Sequence, residues 1–246
     1  MTEISRRGLF GLFGGLAAAV ALAPDEAEAA SRRTLVAFGD SYTRSYRAGV
    51  PSWADQLHSE RVVKVLANFG ESNATAVGTN RPRTLDRQVD KWLAHHRRKG
   101  LPDRTVVYMG YNDMKLHGSL SGSMHQYRQQ VERLIDQGVT KGSRRLLLCL
   151  LHDRSRNPAV HTNARDRIKA WNKFVRGVAS GRRNVVVVDL FSRFDDVFKN
   201  KRAYGLVNVT DPNKSLSARN YLYLDGNHLG RRGQAIIAKE IRRKLG

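Results

Sequence analysis

Four short stretches carry residue types that could do chemistry. The first is Phe38-Gly39-Asp40-Ser41-Tyr42-Thr43, in which a serine follows a glycine-bearing turn. The second is Asn68-Phe69-Gly70-Glu71-Ser72-Asn73-Ala74-Thr75, the third Gly110-Tyr111-Asn112-Asp113, and the last Tyr223-Leu224-Asp225-Gly226-Asn227-His228-Leu229. A serine hydroxyl is a weak nucleophile until a base takes its proton, and an imidazole base is oriented by an acid, so these types together could perform acyl transfer. Taken singly, each has an ordinary structural reading. Gly-Asp-Ser is a common turn and helix-cap tripeptide, Asn and Gly close turns, Asp113 could cap a helix, and a lone histidine is usually a surface or core residue. The serine is not in the G-x-S-x-G elbow of α/β-hydrolases, because Thr43 stands where the second glycine would be.

The elements that must position these stretches follow from apolar periodicity. Apolar runs predict strands at Thr34–Phe38, Val62–Asn68, Thr105–Met109, Arg145–Leu151 and Asn184–Asp189. The wholly β-branched run Val185–Val188 reads as a strand covered on both faces. Helical spacing predicts helices over Trp53–Leu57, Leu85–His95, Tyr127–Ile135, Arg165–Val178 and Gln234–Leu245, and Lys199–Ala218 reads as a surface loop. Alternating strands and helices imply a parallel sheet with helices on both faces. Sites on such sheets form beyond the carboxyl ends of strands, which is where the first three stretches fall; the fourth directly precedes the last helix.

The ordered set of blocks resembles the SGNH/GDSL hydrolase superfamily over Leu35 to Ile241, in particular the branch of phospholipase/haemolysin-like lipases and acetylesterases, with Ser41-Tyr42-Thr43, Trp53-Ala54-Asp55 and the final Asp-x-x-His as its marks. The resemblance implies a three-layer flavodoxin-like α/β fold with a five-stranded parallel sheet. It also implies a serine ester hydrolase (a GDSL-type esterase or lipase) that works through an acyl-enzyme. On that resemblance Ser41 is the nucleophile, His228 the general base and Asp225 the acid that orients it. The oxyanion hole would be the Ser41 backbone N–H, the Asn112 side-chain amide and a backbone N–H of the second block. Aligning Asn68 and Thr75 puts Asn73 at that last place, where relatives carry glycine; Gly70 lies three residues earlier and fits less well. Asn adopts left-handed backbone geometry better than most residues, which suits Asn73 to the position. Asp40 reads as structural support and Asp113 as a residue behind the site. Leu229 stands where many relatives have proline. Two other readings belong with this set: an O-acetyl transferase or esterase acting on envelope or plant polysaccharide, and a non-catalytic envelope-binding protein on a degenerate SGNH scaffold.

His152-Asp153 follows the fourth strand, where His152 could touch substrate, and His95-His96 lie in a basic helix. No pair has metal-ligand spacing such as His-Glu-x-x-His, and no Gly-rich phosphate loop is present, so no metal and no nucleotide cofactor are expected.

Composition bounds the rest. The chain has 246 residues, 43 Lys+Arg against 22 Asp+Glu, and a formal net charge of +21. A field of that sign favours anionic surfaces, with a solvated basic surface as the alternative; no nucleic-acid module accompanies it, so no specific nucleic acid is expected. The expected partners are small-molecule, lipid or polysaccharide esters. Ser5-Arg6-Arg7-Gly8-Leu9-Phe10 resembles a twin-arginine export signal. The uncharged, Gly- and Ala-rich stretch from Gly8 to Pro24 follows, and Ala27-Glu28-Ala29 offers small residues for cleavage. The expectation is a signal peptide over residues 1–29, one SGNH/GDSL domain over residues 30–246, and export to the periplasm or medium; an uncleaved anchor is the alternative. The single Cys149 excludes an intramolecular disulfide and reads as a buried small hydrophobe.

Overall fold

The structure, a computed structural model, describes residues 32–47, 49–78, 83–115, 120–160, 164–215 and 219–246. The expected signal segment and its cleavage point lie outside the described residues. Five strands, β1 (Thr34–Gly39), β2 (Lys64–Asn68), β3 (Arg104–Tyr108), β4 (Arg145–Cys149) and β5 (Val185–Val188), form one sheet in the order β2-β1-β3-β4-β5. Every neighbouring pair is parallel. Parallel pairing requires a crossover after each strand, and the helices supply it. They are α1 (Trp53–Ser59), α2 (Leu85–Lys99), α3 (Ser121–Asp136), α4 (Arg165–Ala179), α5 (Leu190–Lys199) and α6 (Arg231–Arg242). Among them α2, α3 and α4 pack in a row and α1 packs on α6, giving the helical layers of the expected three-layer α/β fold.

Burial follows position in the sheet. Central β3 is buried at every residue, Arg104 included. The Arg104 guanidinium donates to the carbonyls of Leu245 (2.7 Å), Asp103 (2.7 Å) and Ser143 (2.9 Å), as a buried charge requires. The all-valine strand β5 departs from expectation: Val185, Val186 and Val187 are only half-buried, because β5 is a sheet edge and its outer flank has no further strand to cover it. Cys149 is buried at the end of β4, and burial pushes its thiol well up, the state of an inert core residue.

Two stretches of the chain correct the sequence reading. Helix α5 follows β5 after one residue, Asp189, whose carboxylate accepts from the Ser192 N–H at 3.0 Å and caps it. Its Leu190, Phe194 and Val197 are buried at helical spacing. Part of the expected loop Lys199–Ala218 is also regular: a short 3₁₀ turn over Lys201–Tyr204 leads to β6 (Asn208–Pro212), which pairs in parallel with β7 (Tyr221–Tyr223). That two-stranded ribbon feeds the stretch containing Asp225 and His228 into α6.

Candidate active site

Ser41 lies in the turn directly after β1. Gly39 ends that strand because nothing larger fits: a Cβ there would lie 2.7 Å from Thr43 Cβ and 2.5 Å from the Tyr108 carbonyl oxygen. Gln88, buried on α2, clamps the same glycine from both sides, its Oε1 accepting from Gly39 N–H at 2.9 Å and its Nε2 donating to the Gly39 carbonyl at 2.8 Å. The turn closes with Thr43 N–H donating to the Asp40 carbonyl at 3.0 Å. The Asp40 carboxylate is turned inward and accepts from Tyr42 N–H at 3.0 Å. Burial, with Asp113 nearby, pushes that carboxyl up to about 7. Asp40 thus supports the turn from beneath, as expected.

His228 and Asp225 sit in a tight loop between β7 and α6. The loop is closed by Leu224 N–H donating to the His228 carbonyl at 2.8 Å. Asp225 Oδ1 accepts from the N–H groups of Asn227 (2.8 Å) and His228 (2.7 Å), and the carboxylate also meets His228 Nδ1, at 3.0 Å from Oδ1 and 2.9 Å from Oδ2. Partial burial raises the Asp225 pKa, but the hydrogen bonds from the His228 ring and the two backbone N–H groups outweigh it and bring the carboxyl down to about 2. Asp225 is therefore ionised at neutral pH, and it orients the imidazole so that the other ring nitrogen, Nε2, lies 3.2 Å from Ser41 Oγ. The serine-imidazole-carboxylate chain is closed across 187 residues of sequence.

Two further contacts hold the histidine loop against the serine turn. Tyr42 donates its hydroxyl to the Asn227 carbonyl. Asn157 Nδ2 donates to the Tyr42 hydroxyl at 2.8 Å and to the Asn227 carbonyl at 3.1 Å, and is itself held by the Tyr223 hydroxyl at 2.9 Å. Gln234, one turn into α6, bridges Trp53 N–H on α1 (3.0 Å) and the Tyr42 carbonyl (3.3 Å). Tyr46 lies flat over His228, ring centroids 3.4 Å apart and planes 17° apart.

The loops after β2 and β3 complete the site. Gly110 has φ +134°, and a Cβ there would lie 2.6 Å from the Trp171 ring, so this position requires glycine. Asn112 is buried, and its Nδ2 donates to the Ala74 carbonyl at 2.9 Å. One of its two amide hydrogens is thereby used; the other meets no acceptor among the described residues, and the side chain lines the pocket. Asp113 is buried with its carboxylate accepting from Ala76 N–H at 3.0 and 3.1 Å, which ties the loop after β2 to the loop after β3. Asn73 adopts φ +60°, the left-handed conformation that asparagine tolerates, and it borders the pocket. Gly70 does not: its N–H is bound to Asn68 Oδ1 at 3.0 Å, and it packs against the Thr43–Arg44 backbone.

Ser41, Asn73, Asn112 and His228 thus line one small cavity of about 140 Å³, together with Lys115 and Arg154, and Asp225 stands behind His228. His152 does not reach it. This residue is fully buried, its Nδ1 meets the Tyr108 hydroxyl at 2.9 Å, and its ring stacks on Phe194 of α5 at 4.5 Å. Burial drives its pKa down to about 3, so it is a neutral core imidazole and not a substrate contact. The missed helix α5 is the reason: it covers the side on which His152 points. The sequence reading did not find Gln88, Tyr46, Asn157 or Arg154, whose roles rest on contacts between distant segments; only Asn157 and Arg154, close after β4, had position as a signal. Among the described residues no group of three or more His, Cys, Asp or Glu could hold a metal ion.

The profile of the GDSL-like Lipase/Acylhydrolase family matches residues 37–236. Among solved structures, the chain is similar to an acetyl xylan esterase, AlAXEase (17% identity, TM-score 0.58, covering 87% of this chain and 100% of that one). It is also similar to a member of the lipolytic protein G-D-S-L family from Veillonella parvula (14%, 0.56, 85% and 96%). A third is LAE5, an alpha/beta hydrolase enzyme from the metagenome of Lake Arreo, Spain (18%, 0.56, 87% and 95%). No curated protein matches the chain. The chain belongs to the GDSL-like lipase/acylhydrolase family, and it is a hydrolase that acts on ester bonds.

Proposed function

We propose that this acylhydrolase cleaves carboxylic esters of short acyl groups through an acyl-enzyme on Ser41. The observation that carries the reading is the hydrogen-bonded chain from Ser41 Oγ through His228 (3.2 Å) to Asp225 (2.9 Å), opening on a cavity that Asn73 and Asn112 also line. His228 Nε2 takes the Ser41 proton as Oγ bonds to the ester carbonyl carbon. The Asp225 carboxylate stabilises the imidazolium that results. The carbonyl oxygen becomes an oxyanion, for which the donors are the N–H of Ser41, the Nδ2 of Asn112 and the N–H of Asn73. The imidazolium then gives its proton to the leaving alcohol oxygen as the carbon–oxygen bond breaks. Water repeats the sequence on the acyl-enzyme with His228 again as base, releasing the carboxylic acid and restoring Ser41.

The small volume of the cavity favours an acetyl or similarly short acyl group over a fatty chain, and the likeness to an acetyl xylan esterase points the same way. The intact relay weighs against a non-catalytic scaffold. The test is hydrolysis of p-nitrophenyl acetate, butyrate and palmitate by residues 30–246, beside Ser41→Ala. Activity on the acetate that vanishes in Ser41→Ala is expected; activity that Ser41→Ala retains would refute the assignment. The twin-arginine stretch leads us to propose export as well, tested by replacing Arg6 and Arg7 with lysine and following esterase activity outside the cytoplasm. The excess of basic residues supports attraction to anionic surfaces, so activity on anionic vesicles should fall steeply with salt.

A further inference from the structure

The cavity beside Ser41 holds a charge that the ester reaction does not use. Arg154 lies in a 3₁₀ turn just after β4, and its side chain is buried among the pocket residues. Its Nη1 donates to the Tyr111 carbonyl at 3.0 Å and its Nη2 to Asn227 Oδ1 at 3.3 Å. A guanidinium carries five N–H donors, and among the described residues only two acceptors meet them. Other arginines of this region are neutralised: Arg165 pairs with Asp153 and Asp195, and Arg156 reaches both carboxylates at 3.5 and 3.4 Å. Arg154 has no such carboxylate among the described residues. Asp40 lies within its field, but that acid is buried beneath the serine turn and committed to Tyr42 N–H.

A second cation stands on the same cavity. Lys115, exposed in the turn after Asn112, lines it too. Its ammonium is held below the ordinary lysine value first by partial desolvation and then by the Arg154 charge, so the two cations sense one another. Two like charges on one small cavity repel, and burying a guanidinium without a counter-ion is costly. Both costs are relieved if the ligand that fills the cavity brings an anion. The planar fork of arginine suits a carboxylate, which it can bind through two parallel N–H···O bonds.

We infer that Arg154, with Lys115 at the rim, selects esters that carry a carboxylate a few atoms from the scissile bond. The inference rests on the ester hydrolysis proposed above and names the substrate class for that site. The carboxylate could belong to the acyl part or to the alcohol part, and matched ester pairs separate the two. On the alcohol side the pair is 4-acetoxybenzoate and its methyl ester; on the acyl side it is the p-nitrophenyl hemisuccinate and the p-nitrophenyl ester of monomethyl succinate.

The measurement is kcat/KM for each pair, with the wild-type protein and with Arg154→Met, Arg154→Lys and Lys115→Met. The wild type is expected to favour the carboxylate member of one pair by about tenfold or more, equivalent to about 1.4 kcal/mol, and the favoured pair identifies the side. Arg154→Met should bring that ratio close to one, with Arg154→Lys between the two and Lys115→Met lowering it less. The preference should also shrink as ionic strength rises, a readout on the wild type that stands even if the Arg154 variants fail to fold. Neutral esters cleaved in a Ser41-dependent way with no preference in either pair would overturn this inference and leave the ester-hydrolase reading intact. A preference that survives Arg154→Met would overturn it as well. Failure to cleave any of the four esters would overturn both.

Discussion

Asn112→Ala separates catalysis from positioning, because on the proposed mechanism the two amide hydrogens of Asn112 have different tasks. One is bound to the Ala74 carbonyl at 2.9 Å. Losing it leaves a carbonyl without its partner in a buried setting, a cost of about 1–3 kcal/mol. For a domain of this size that lowers Tm by roughly 2–4 °C per kcal/mol. The other, which meets no acceptor among the described residues, would on that mechanism meet an oxyanion on a substrate bound to Ser41. Removing one such donor typically raises the barrier by ~2.7–4 kcal/mol, a loss of about 10²–10³ in kcat. That contact forms with the developing charge and not with the ground-state ester, so KM should change little. The assay is kcat and KM on p-nitrophenyl acetate with a thermal melt on the same preparation. A melt that drops modestly while kcat falls by two to three orders of magnitude is expected. A folded Asn112→Ala whose kcat stays within about tenfold of wild type would remove Asn112 from the oxyanion hole and refute the reasoning.

Asp225→Asn keeps an Oδ1 to accept from the Asn227 and His228 N–H groups but loses the charge opposite Nδ1, so kcat should fall by roughly 10²–10⁴ with little loss of fold, read from kinetics and circular dichroism. Tyr46→Ala strips the ring that lies 3.4 Å over His228; an exposed aromatic facing an imidazolium contributes ~0.5–1 kcal/mol, so kcat should fall about two- to fivefold, and Tyr46→Phe should restore it. The Asp40 carboxyl is raised from an ordinary 3.8 to about 7. The folded state then holds a proton that the unfolded chain has released between about pH 4 and 7, so the stability tied to this proton is full below about pH 4 and lost as pH rises to about 7. At ~1.36 kcal/mol per unit the span is on the order of 4 kcal/mol, and Asp40→Asn should flatten that slope in urea titrations across the window; an unchanged slope would refute the assignment. Gly110→Ala should cost about 1–3 kcal/mol in the same titrations, because its Cβ would lie 2.6 Å from the Trp171 ring.

What was legible in the sequence divides along a physical line. The five sheet strands were visible because parallel strands covered by helices must be apolar over several residues, and Leu146–Cys149 or Val106–Tyr108 could hardly be anything else. The candidate triad and its donors were visible because a parallel sheet exposes only the loops after its strands, and the resemblance supplied the roles. Asn73 stands where the resemblance expects glycine, and its φ of +60° is one that asparagine tolerates better than most residues. Helix α5 was not recognised because it starts one residue after β5, with no turn signal between the strand and Leu190. The paired segments β6 and β7 are short, and their pairing depends on a partner ten or so residues away. His152 was misplaced for a related reason: its position after β4 pointed to the crevice, but direction along a strand end depends on which side the next helix covers, and that helix was missing from the reading.

The residues that no pattern could reveal are those that make the site one body. Gln88 grips the end of β1, Asn157 and Tyr42 grip the Asn227 carbonyl, Asp113 grips Ala76, and Asn112 grips Ala74. Each is a buried polar side chain answering a backbone group of another loop, and a buried polar group left unanswered is costly. The serine, the histidine and the donors are carried on loops, which alone would wander relative to one another. Tying each loop to its neighbour transfers the stiffness of the sheet to the reacting atoms, which is what holds a serine-imidazole contact at 3.2 Å between segments 187 residues apart. It follows that substitutions at Gln88 or Asn157, which do not line the cavity, should lower kcat through misplacement, since displacing a reacting group by an ångström costs about 10²-fold.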